Sequence, residues 1–281
     1  MARILKKILT GLIEEAEIQL LYGGFDIVGN IAVIKIPNSL LPKKNIIAVA
    51  LLEQVKPVKT VLMQSTPVSG DFRTRNLELI GGEDKTTTEY REYGCIFKVD
   101  LATAYFSPRL STERQRIADL VQPGETVANL FAGVGAFSII IAKKVPETRI
   151  YSIDINPKAH QQALENIKIN KLNEKVIPIL GDARNVVSKI TGKAERVLMP
   201  LPEKAKEYLN TALEVLKPPF GIVHYYTHTY ASRRENAFKE PAKEVENVLK
   251  NRYSIISQRI VREVGPRWYQ VVLDLKVSTQ T

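Results

Sequence analysis

The chain has 281 residues, 44% of them hydrophobic and 25% charged, which excludes a largely disordered protein and allows one or two domains with their own cores. Its single cysteine, Cys95, excludes an intramolecular disulfide and a cysteine-rich zinc site. The net charge of +10 has the sign expected of a protein that binds phosphates, and a basic, heat-adapted proteome accounts for it equally well. Because neither a signal peptide nor a membrane span is recognisable, we expect a cytoplasmic protein.

The first third of the chain predicts a small α+β domain. Residues 3–22 repeat apolar positions at helical spacing and predict one helix. Residues 25–36 predict a pair of strands, and residues 58–64 and 93–100 predict further strands between clusters of turn-forming residues. We place this domain at residues 1–105.

From Thr112 onward, predicted helices and strands alternate. The strands are nearly continuous apolar runs, which is typical of an α/β fold with a doubly wound parallel sheet. They cover residues 126–132, 149–155, 176–181, 195–201 and 221–226. Residues 254–261 and 268–277 predict an antiparallel hairpin at the sheet edge, which completes a domain at residues 106–281. Residues 101–281 hold 27 basic and 18 acidic residues, so we expect a bound polyanion to contact mainly this domain.

Three strand ends of the second domain form a candidate ligand site. The segment VANLFAGVGAFS places Gly133 and Gly135 between a strand and a helix, where the backbone can approach a ligand. Ser138 stands where a dinucleotide-binding loop has its third glycine. Asp154 ends the next strand, where a carboxylate can accept hydrogen bonds from the ribose of NAD or S-adenosylmethionine. Asp182 follows the third strand, where a carboxylate can face an adenine amino group. Taken singly, each carboxylate is also typical of a helix cap.

The same segments carry a resemblance to a known fold. NLFAGVG, IDINP and GDAR resemble the class I S-adenosylmethionine methyltransferases, which have a Rossmann-like sheet. YFSPRLSTERQRIADLV, RVLMPLP and HYYT narrow the resemblance to the archaeal and eukaryotic tRNA (guanine-N1)-methyltransferases, which modify the purine 3′ of the anticodon. The resemblance covers residues 25–277. It implies S-adenosylmethionine as cofactor, the tRNA anticodon stem-loop as partner, a monomer, and neither a metal nor a membrane.

Methylation at guanine N1 requires a base for the N1 proton and a cation for the charge that builds on O6. The resemblance implies Glu113 as the general base. It implies Arg73 as the contact to the guanine carbonyl, with Arg75 as the rival choice. It implies Tyr105 as the aromatic residue that places the guanine and the catalytic carboxylate. Arg114 would pair with the methionine carboxylate of the cofactor. The other cofactor contacts that the resemblance implies are Phe131, Gly133, Asp154, Ile155, Asp182, Ala183 and Pro200.

Each catalytic candidate also fits an ordinary structural role. Glu113 is typical of a carboxylate in the first turn of a helix, where it stabilises free amides. Arg73 fits a solvated loop, and Tyr105 and Phe106 fit core aromatics. The three histidines do not follow the spacing of a metal site.

Two departures from the family pattern leave alternatives open. The fourth strand of the family ends in Asn-Leu-Pro, whereas this chain has Pro200, Leu201 and Pro202, and a proline cannot replace the hydrogen bonds of asparagine. The small N-terminal domain of the family, which inspects the outer corner of the tRNA, is expected to be missing. One alternative is the related wybutosine-pathway aminocarboxypropyltransferase, whose fourth strand lacks the Leu-Pro element. Another is a non-catalytic RNA-binding protein, which the proline substitution motivates.

Overall fold

The computed structural model describes residues 2–22, 24–66, 70, 72 and 76–279. The chain divides into two compact units, residues 1–111 and 112–281, shortly beyond the boundary predicted at residue 105. The elements of the first unit are, in chain order, α1 (Ala2–Leu9), α2 (Glu15–Leu20), β1 (Phe25–Val28), β2 (Ile31–Ile34), α3 (Lys44–Gln54), β3 (Thr60–Gln64), β4 (Leu77–Gly82), β5 (Thr87–Glu92) and β6 (Cys95–Asp100).

The first unit is an α+β structure, as predicted. Strands β1 to β4 form a mixed sheet in the order β1-β2-β3-β4, and β5 pairs with β6 in a separate hairpin. The single helix predicted over residues 3–22 is wrong, because Gly11 adopts a φ of +82°, a left-handed conformation that ends α1 before α2 begins. The predicted strand pair is confirmed as β1 and β2, which join antiparallel around a turn at Gly29 and Asn30.

The second unit contains the larger sheet. Its elements are, in chain order, α4 (Ser111–Leu120), β7 (Thr126–Asn129), α5 (Ala136–Lys144), β8 (Arg149–Asp154), α6 (Pro157–Ile169), β9 (Val176–Leu180), α7 (Ala183–Val186), β10 (Arg196–Met199), α8 (Leu209–Val215), β11 (Phe220–Tyr230), α9 (Lys239–Leu249), β12 (Tyr253–Gly265) and β13 (Trp268–Ser278).

The predicted parallel sheet with an antiparallel closing hairpin is confirmed. Seven strands lie in the order β12-β13-β11-β10-β7-β8-β9. The five from β11 to β9 are parallel, and β13 runs antiparallel between β11 and β12. The hairpin turn is shorter than predicted, since Gly265 already pairs with Trp268 and leaves Pro266 and Arg267 as the connection.

The core of the second unit explains why its strands read as apolar runs. All four residues of β10 are buried, and Val197 and Met199 belong to one apolar core with residues of α8 and α9. Helix α5 is buried from Ala136 to Ala142, which fits a central helix rather than a membrane span. None of the helices among the described residues is long and apolar enough to cross a membrane. The sheet therefore holds the carboxyl ends of β7, β8 and β9 side by side, where the predicted ligand site lies.

Candidate active site

The loop between β7 and α5 requires glycine at two positions. Gly133 and Gly135 have φ values of +56° and +85°, in the left-handed region that disfavours side chains. A Cβ on Gly135 would also lie 3.2 Å from the Cδ1 atom of Ile139. Ser138, which replaces the third glycine of a dinucleotide-binding loop, is fully buried, and its Oγ atom lies 2.9 Å from the Oγ of Ser152 on β8. Its role here is to join the loop helix to the sheet.

Asp154 organises the glycine loop from the end of β8. Its Oδ2 atom accepts a hydrogen bond from the Gly133 amide at 2.6 Å, and its Oδ1 atom accepts one from the Asn156 amide at 2.9 Å. Burial raises the pKa of Asp154 above its ordinary value, and the two amide donors act against that rise. Each carboxylate oxygen keeps one further lone pair. The predicted acceptance of ribose hydroxyls is therefore compatible with the bonds that shape the loop.

Asp182 lies at the start of α7 with both carboxylate oxygens engaged. Oδ2 accepts hydrogen bonds from Arg184 at 2.7 Å and from the Tyr208 hydroxyl at 2.9 Å, and Oδ1 accepts the Arg184 amide at 2.9 Å. The Arg184 side chain is the main reason that the pKa of Asp182 lies at about 2. Arg184 also stacks 4.5 Å from the centre of the Tyr208 ring, and Phe131 meets that ring edge-on at 4.9 Å. Asp182 is thus a helix cap and part of a fixed polar cluster, and its contact with an adenine amino group stays a prediction.

Two asparagines support this end of the sheet and were missed at the sequence level. The Asn156 side chain accepts the amides of Lys158 and Ala159 at the start of α6. The buried Asn166 side chain donates to the Val134 carbonyl of the glycine loop at 3.2 Å. An asparagine before proline is a recognisable helix start, whereas nothing local marks Asn166.

The remaining predicted cofactor residues differ in exposure. Ile155, directly after Asp154, is 39% exposed, which is unusual for a large apolar side chain beside a sheet and suits contact with a flat ligand. Pro200 is half-buried directly after β10. Arg114 and Ala183 are buried. Among the described residues, no group of three or more histidine, cysteine or acidic side chains could hold a metal ion.

Glu113 is a buried carboxylate in the first turn of α4, with 2% of its surface exposed. Arg116 donates to both carboxylate oxygens, at 2.7 Å from Nη2 to Oε1 and 3.0 Å from Nε to Oε2. The Tyr226 hydroxyl donates to Oε1 at 2.7 Å. Burial raises the pKa of Tyr226 well above its ordinary value, so this hydroxyl stays protonated and donates. The carboxylate is therefore held in one position by charge-assisted hydrogen bonds.

Arg116 continues a buried chain of ionic groups. Its Nη1 atom donates to Asp274 at 2.6 Å, and Asp274 accepts from Nδ1 of His224 at 2.6 Å. Arg196 donates to Nε2 of His224 at 2.8 Å and also pairs with Glu125 at 2.7 Å. These residues come from four separate elements and one loop, so sequence reasoning did not find the chain of contacts.

The protonation states along this chain follow from its donors and acceptors. Arginine can only donate, so Nε2 of His224 must be an unprotonated acceptor and Nδ1 carries the ring proton. Burial lowers the pKa of His224 in agreement with this neutral form. Burial opposes ionisation of Asp274, but the hydrogen bond from His224 and the ion pair with Arg116 outweigh it and hold its pKa at about 2. The chain thus alternates fixed positive and negative charges around a neutral imidazole.

Tyr226 links this buried chain to the glycine loop. Its ring lies 6.4 Å from that of Phe137, at an interplanar angle of 61°, and Phe137 belongs to the first turn of α5. The Glu113 carboxylate therefore lies one aromatic contact away from the helix that follows the glycine loop. Within the second unit, the predicted base and part of the predicted cofactor site are neighbours.

The other catalytic candidates are outside this unit. Arg73 and its rival Arg75 lie outside the described residues. Tyr105 is half-buried in the first unit, and its neighbour Phe106 is a core aromatic, 5.1 Å from the ring of Tyr90. The roles predicted for Arg73 and Tyr105 stay predictions.

The strand order, the glycine loop after the first parallel strand and the acidic residue that ends the second define a class I methyltransferase fold. Comparison with known proteins resolves the class further. A model of the TRM5/TYW2 methyltransferase domain matches residues 88–256, and a model of the TYW2 N-terminal domain matches residues 5–86. The chain belongs to the TRM5/TYW2 methyltransferase family.

Its relatives include enzymes with two different reactions. It is 41% identical over 254 residues to tRNA (guanine(37)-N(1))-methyltransferase Trm5b of Pyrococcus abyssi, a match that covers 90% of this chain and 74% of the relative. It is 34% identical over 247 residues to the tRNA(Phe) (4-demethylwyosine(37)-C(7)) aminocarboxypropyltransferase of Methanocaldococcus jannaschii, covering 86% and 96%. A solved complex of aTrm5 and tRNALeu superposes with a TM-score of 0.86 at 34% identity, covering 99% of this chain and 79% of that one.

Proposed function

We propose that this protein transfers the methyl group of S-adenosylmethionine to N1 of guanosine 37 in tRNA, the base on the 3′ side of the anticodon. The observation that carries the proposal is the Glu113 carboxylate, fixed by Arg116 and Tyr226 beside the helix of the glycine loop. A base next to the cofactor loop is what N1 methylation requires. The 41% identity to a methyltransferase named for this reaction supports it.

The residues around the glycine loop fit S-adenosylmethionine. The left-handed backbone of the loop favours glycine at Gly133 and Gly135. Asp154 retains acceptor capacity at both oxygens, and Ile155 offers an exposed apolar surface. We assign the ribose to Asp154 and an adenine contact to Ile155, with Phe131, Gly133, Asp182, Ala183 and Pro200 completing the lining and Arg114 the methionine end. When bound, the cofactor supplies an electrophilic methyl group on a sulfonium.

The protein's own contribution is to handle the proton and charge of the guanine. Glu113 accepts the N1 proton, which leaves the N1 electron pair free to form the new bond. Arg116 and Tyr226 hold the carboxylate in position before that transfer. Arg73 stabilises the negative charge on O6, and Tyr105 positions the base.

The net charge of +10 suits a tRNA substrate. The target guanine must leave the stacked anticodon loop, which costs a few kcal/mol. Contacts between basic side chains and the phosphates of the stem offset that cost.

The test uses S-adenosylmethionine labelled separately on the methyl and on the aminobutyrate carbons, with an unmodified tRNA transcript carrying guanosine 37. We expect methyl label on N1 of that guanosine and none in a transcript with adenosine at the same place. The Glu113→Gln variant should lose most of the rate while binding tRNA normally. Full activity of that variant at neutral pH would contradict the role of the carboxylate.

One second candidate is favoured by a specific observation. The TYW2 N-terminal domain model matches residues 5–86, and the match to the aminocarboxypropyltransferase covers 96% of that relative. In the same experiment, aminobutyrate label on the RNA without methyl label would establish this reaction instead.

A further inference from the structure

One face of the C-terminal strands carries a continuous row of side chains. Residues paired across β11, β13 and β12 point to the same side of the sheet. The three cross-strand lines of this row are Tyr226–Val272–Arg259, His228–Gln270–Arg262 and Tyr230–Trp268–Gly265. An irregularity in β12 between Ile260 and Arg262 brings Arg262, three residues beyond Arg259, to the same face.

The inner end of this row adjoins the proposed catalytic base. Tyr226 donates to the Glu113 carboxylate, and the Nε atom of Arg259 lies 3.8 Å from Glu113 Oε2. The Arg259 side chain is 40% exposed whereas that of Glu113 is 2% exposed. Arg259 therefore connects the buried carboxylate with the open part of the sheet.

The outer end of the row presents two aromatic rings to solvent. Tyr230 is 52% and Trp268 48% exposed, and their ring centres lie 5.8 Å apart at an interplanar angle of 63°. Arg267 lies beside Trp268 in the hairpin turn. A paired tyrosine and tryptophan this exposed bury little apolar surface of their own, which is typical of a binding site.

The positive charge of this region indicates a negatively charged partner. Residues 252–268 contain four arginines and a single acidic residue, Glu263. Arg262 lies between the two ends, and its Nε atom donates to Gln270 at 2.7 Å. Exposed aromatics next to arginines suit single-stranded nucleic acid, where rings stack on bases and guanidinium groups neutralise phosphates.

The distance along the row distinguishes this site from the target pocket. Tyr230 lies four positions after Tyr226 in β11, which corresponds to about 13 Å along a strand. A base at the outer end is therefore a different nucleotide from the one whose N1 proton reaches Glu113.

We propose that Tyr230 and Trp268 form a docking platform for an unpaired nucleotide of the anticodon loop that neighbours the target guanosine, with Arg259 and Arg262 contacting the intervening phosphates. This inference rests on the proposed function. It gives the enzyme a means to hold the loop open while the target base is turned out of its stack.

The tryptophan provides a direct test, because Trp268 is the single tryptophan of the chain. Its fluorescence is followed in the full-length protein during titration with a tRNA transcript, with an anticodon-loop hairpin and with a loopless RNA duplex. Filter binding of the same RNAs is measured in parallel. We expect the transcript and the hairpin to quench the emission and the duplex to leave it nearly unchanged. Bound tRNA without quenching, or equal quenching by the duplex, would overturn the platform.

Two variants separate the platform from the proposed function. Tyr230→Leu and Trp268→Leu should each raise KM for tRNA at least about fivefold, the loss expected for one stacked base, and leave kcat at saturating tRNA nearly unchanged. The matched control is Phe220→Leu, which removes a 54% exposed aromatic from the opposite end of β11 and should change neither constant. If wild-type protein methylates guanosine 37 and all three variants match it, the platform is wrong and the function stands. If wild-type protein neither binds nor methylates tRNA, both are wrong.

Discussion

Removing a single hydroxyl group tests whether the surroundings of Glu113 control catalysis. Tyr226→Phe deletes the group that donates to Glu113 Oε1 at 2.7 Å. Tyr226 is 1% exposed, so water does not readily take the place of the hydroxyl. A hydrogen bond to a charged group contributes about 1.5–3 kcal/mol. This loss should release the carboxylate from its fixed position and lower the rate of methylation roughly tenfold to 150-fold.

The assay is single-turnover methylation of a guanosine-37 transcript at saturating cofactor and saturating tRNA. Tyr226→Phe should react roughly tenfold to 150-fold more slowly than the wild-type protein, because its carboxylate has lost a positioning hydrogen bond. The affinity for tRNA, measured by filter binding, should stay close to the wild-type value.

Tyr225→Phe is the matched control. Tyr225 is the adjacent residue, is equally buried, and donates its hydroxyl to Glu244 at 2.9 Å rather than to Glu113. Its variant should keep the wild-type rate. If Tyr226→Phe also keeps that rate, or if both variants lower it equally, the proposed control of Glu113 by Tyr226 is refuted.

Three further predictions concern the buried ionic chain and the cofactor loop. Arg116→Met leaves the carboxylates of Glu113 and Asp274 buried without their shared cation. Urea denaturation should show that its free energy of unfolding is lower by about 3–5 kcal/mol. The control Lys144→Met removes an exposed ion pair with Asp119 and should lower the free energy of unfolding by less than about 1 kcal/mol. His224 is buried with a lowered pKa and stays neutral in the folded state, so stability should be complete above its ordinary value of 6.5 and decline as the pH falls below it, by up to about 1.4 kcal/mol per pH unit. His224→Gln should reduce that slope, and an unchanged slope would contradict the assignment. Asp154→Asn places a side-chain NH2 group against the backbone amide of Gly133 or Asn156. Calorimetry should show that S-adenosylmethionine binds more weakly by about 1–3 kcal/mol, or roughly fivefold to 150-fold. Unchanged affinity would remove Asp154 from the cofactor site.

The sequence predicted the parts of the site that depend on local order along the chain. Asp154 is the last residue of β8, and Gly133 and Asp182 lie within four positions after the ends of β7 and β9. Parallel strands end at the same edge of the sheet, so this spacing was enough to bring them together. The closing hairpin followed from two apolar runs with a short connection. The first helix failed because its apolar spacing continues through Gly11, and spacing alone does not reveal a positive φ.

The buried chain around Glu113 was beyond sequence reasoning for a physical reason. Arg116 and Asp274 are 158 positions apart, and Tyr226 and Glu113 are 113 apart, so no local pattern links them. The sequence suggested two roles for Glu113, a base or a helix-turn carboxylate. Its bonds to Arg116 and Tyr226 fix its position, and its role as the base stays a prediction. Tyr208 was missed in the same way, since its partner Asp182 lies 26 positions away.

The proposed function depends most directly on which nucleotide is modified and which group of the cofactor is transferred to it. The decisive measurement offers the enzyme S-adenosylmethionine with two tRNAs, one carrying guanosine and the other 4-demethylwyosine at position 37, and identifies the product nucleosides by mass spectrometry. We predict 1-methylguanosine from the first tRNA, with its formation strongly reduced in Glu113→Gln. An aminocarboxypropyl product formed from the second tRNA, with guanosine left unmodified in the first, would contradict the account.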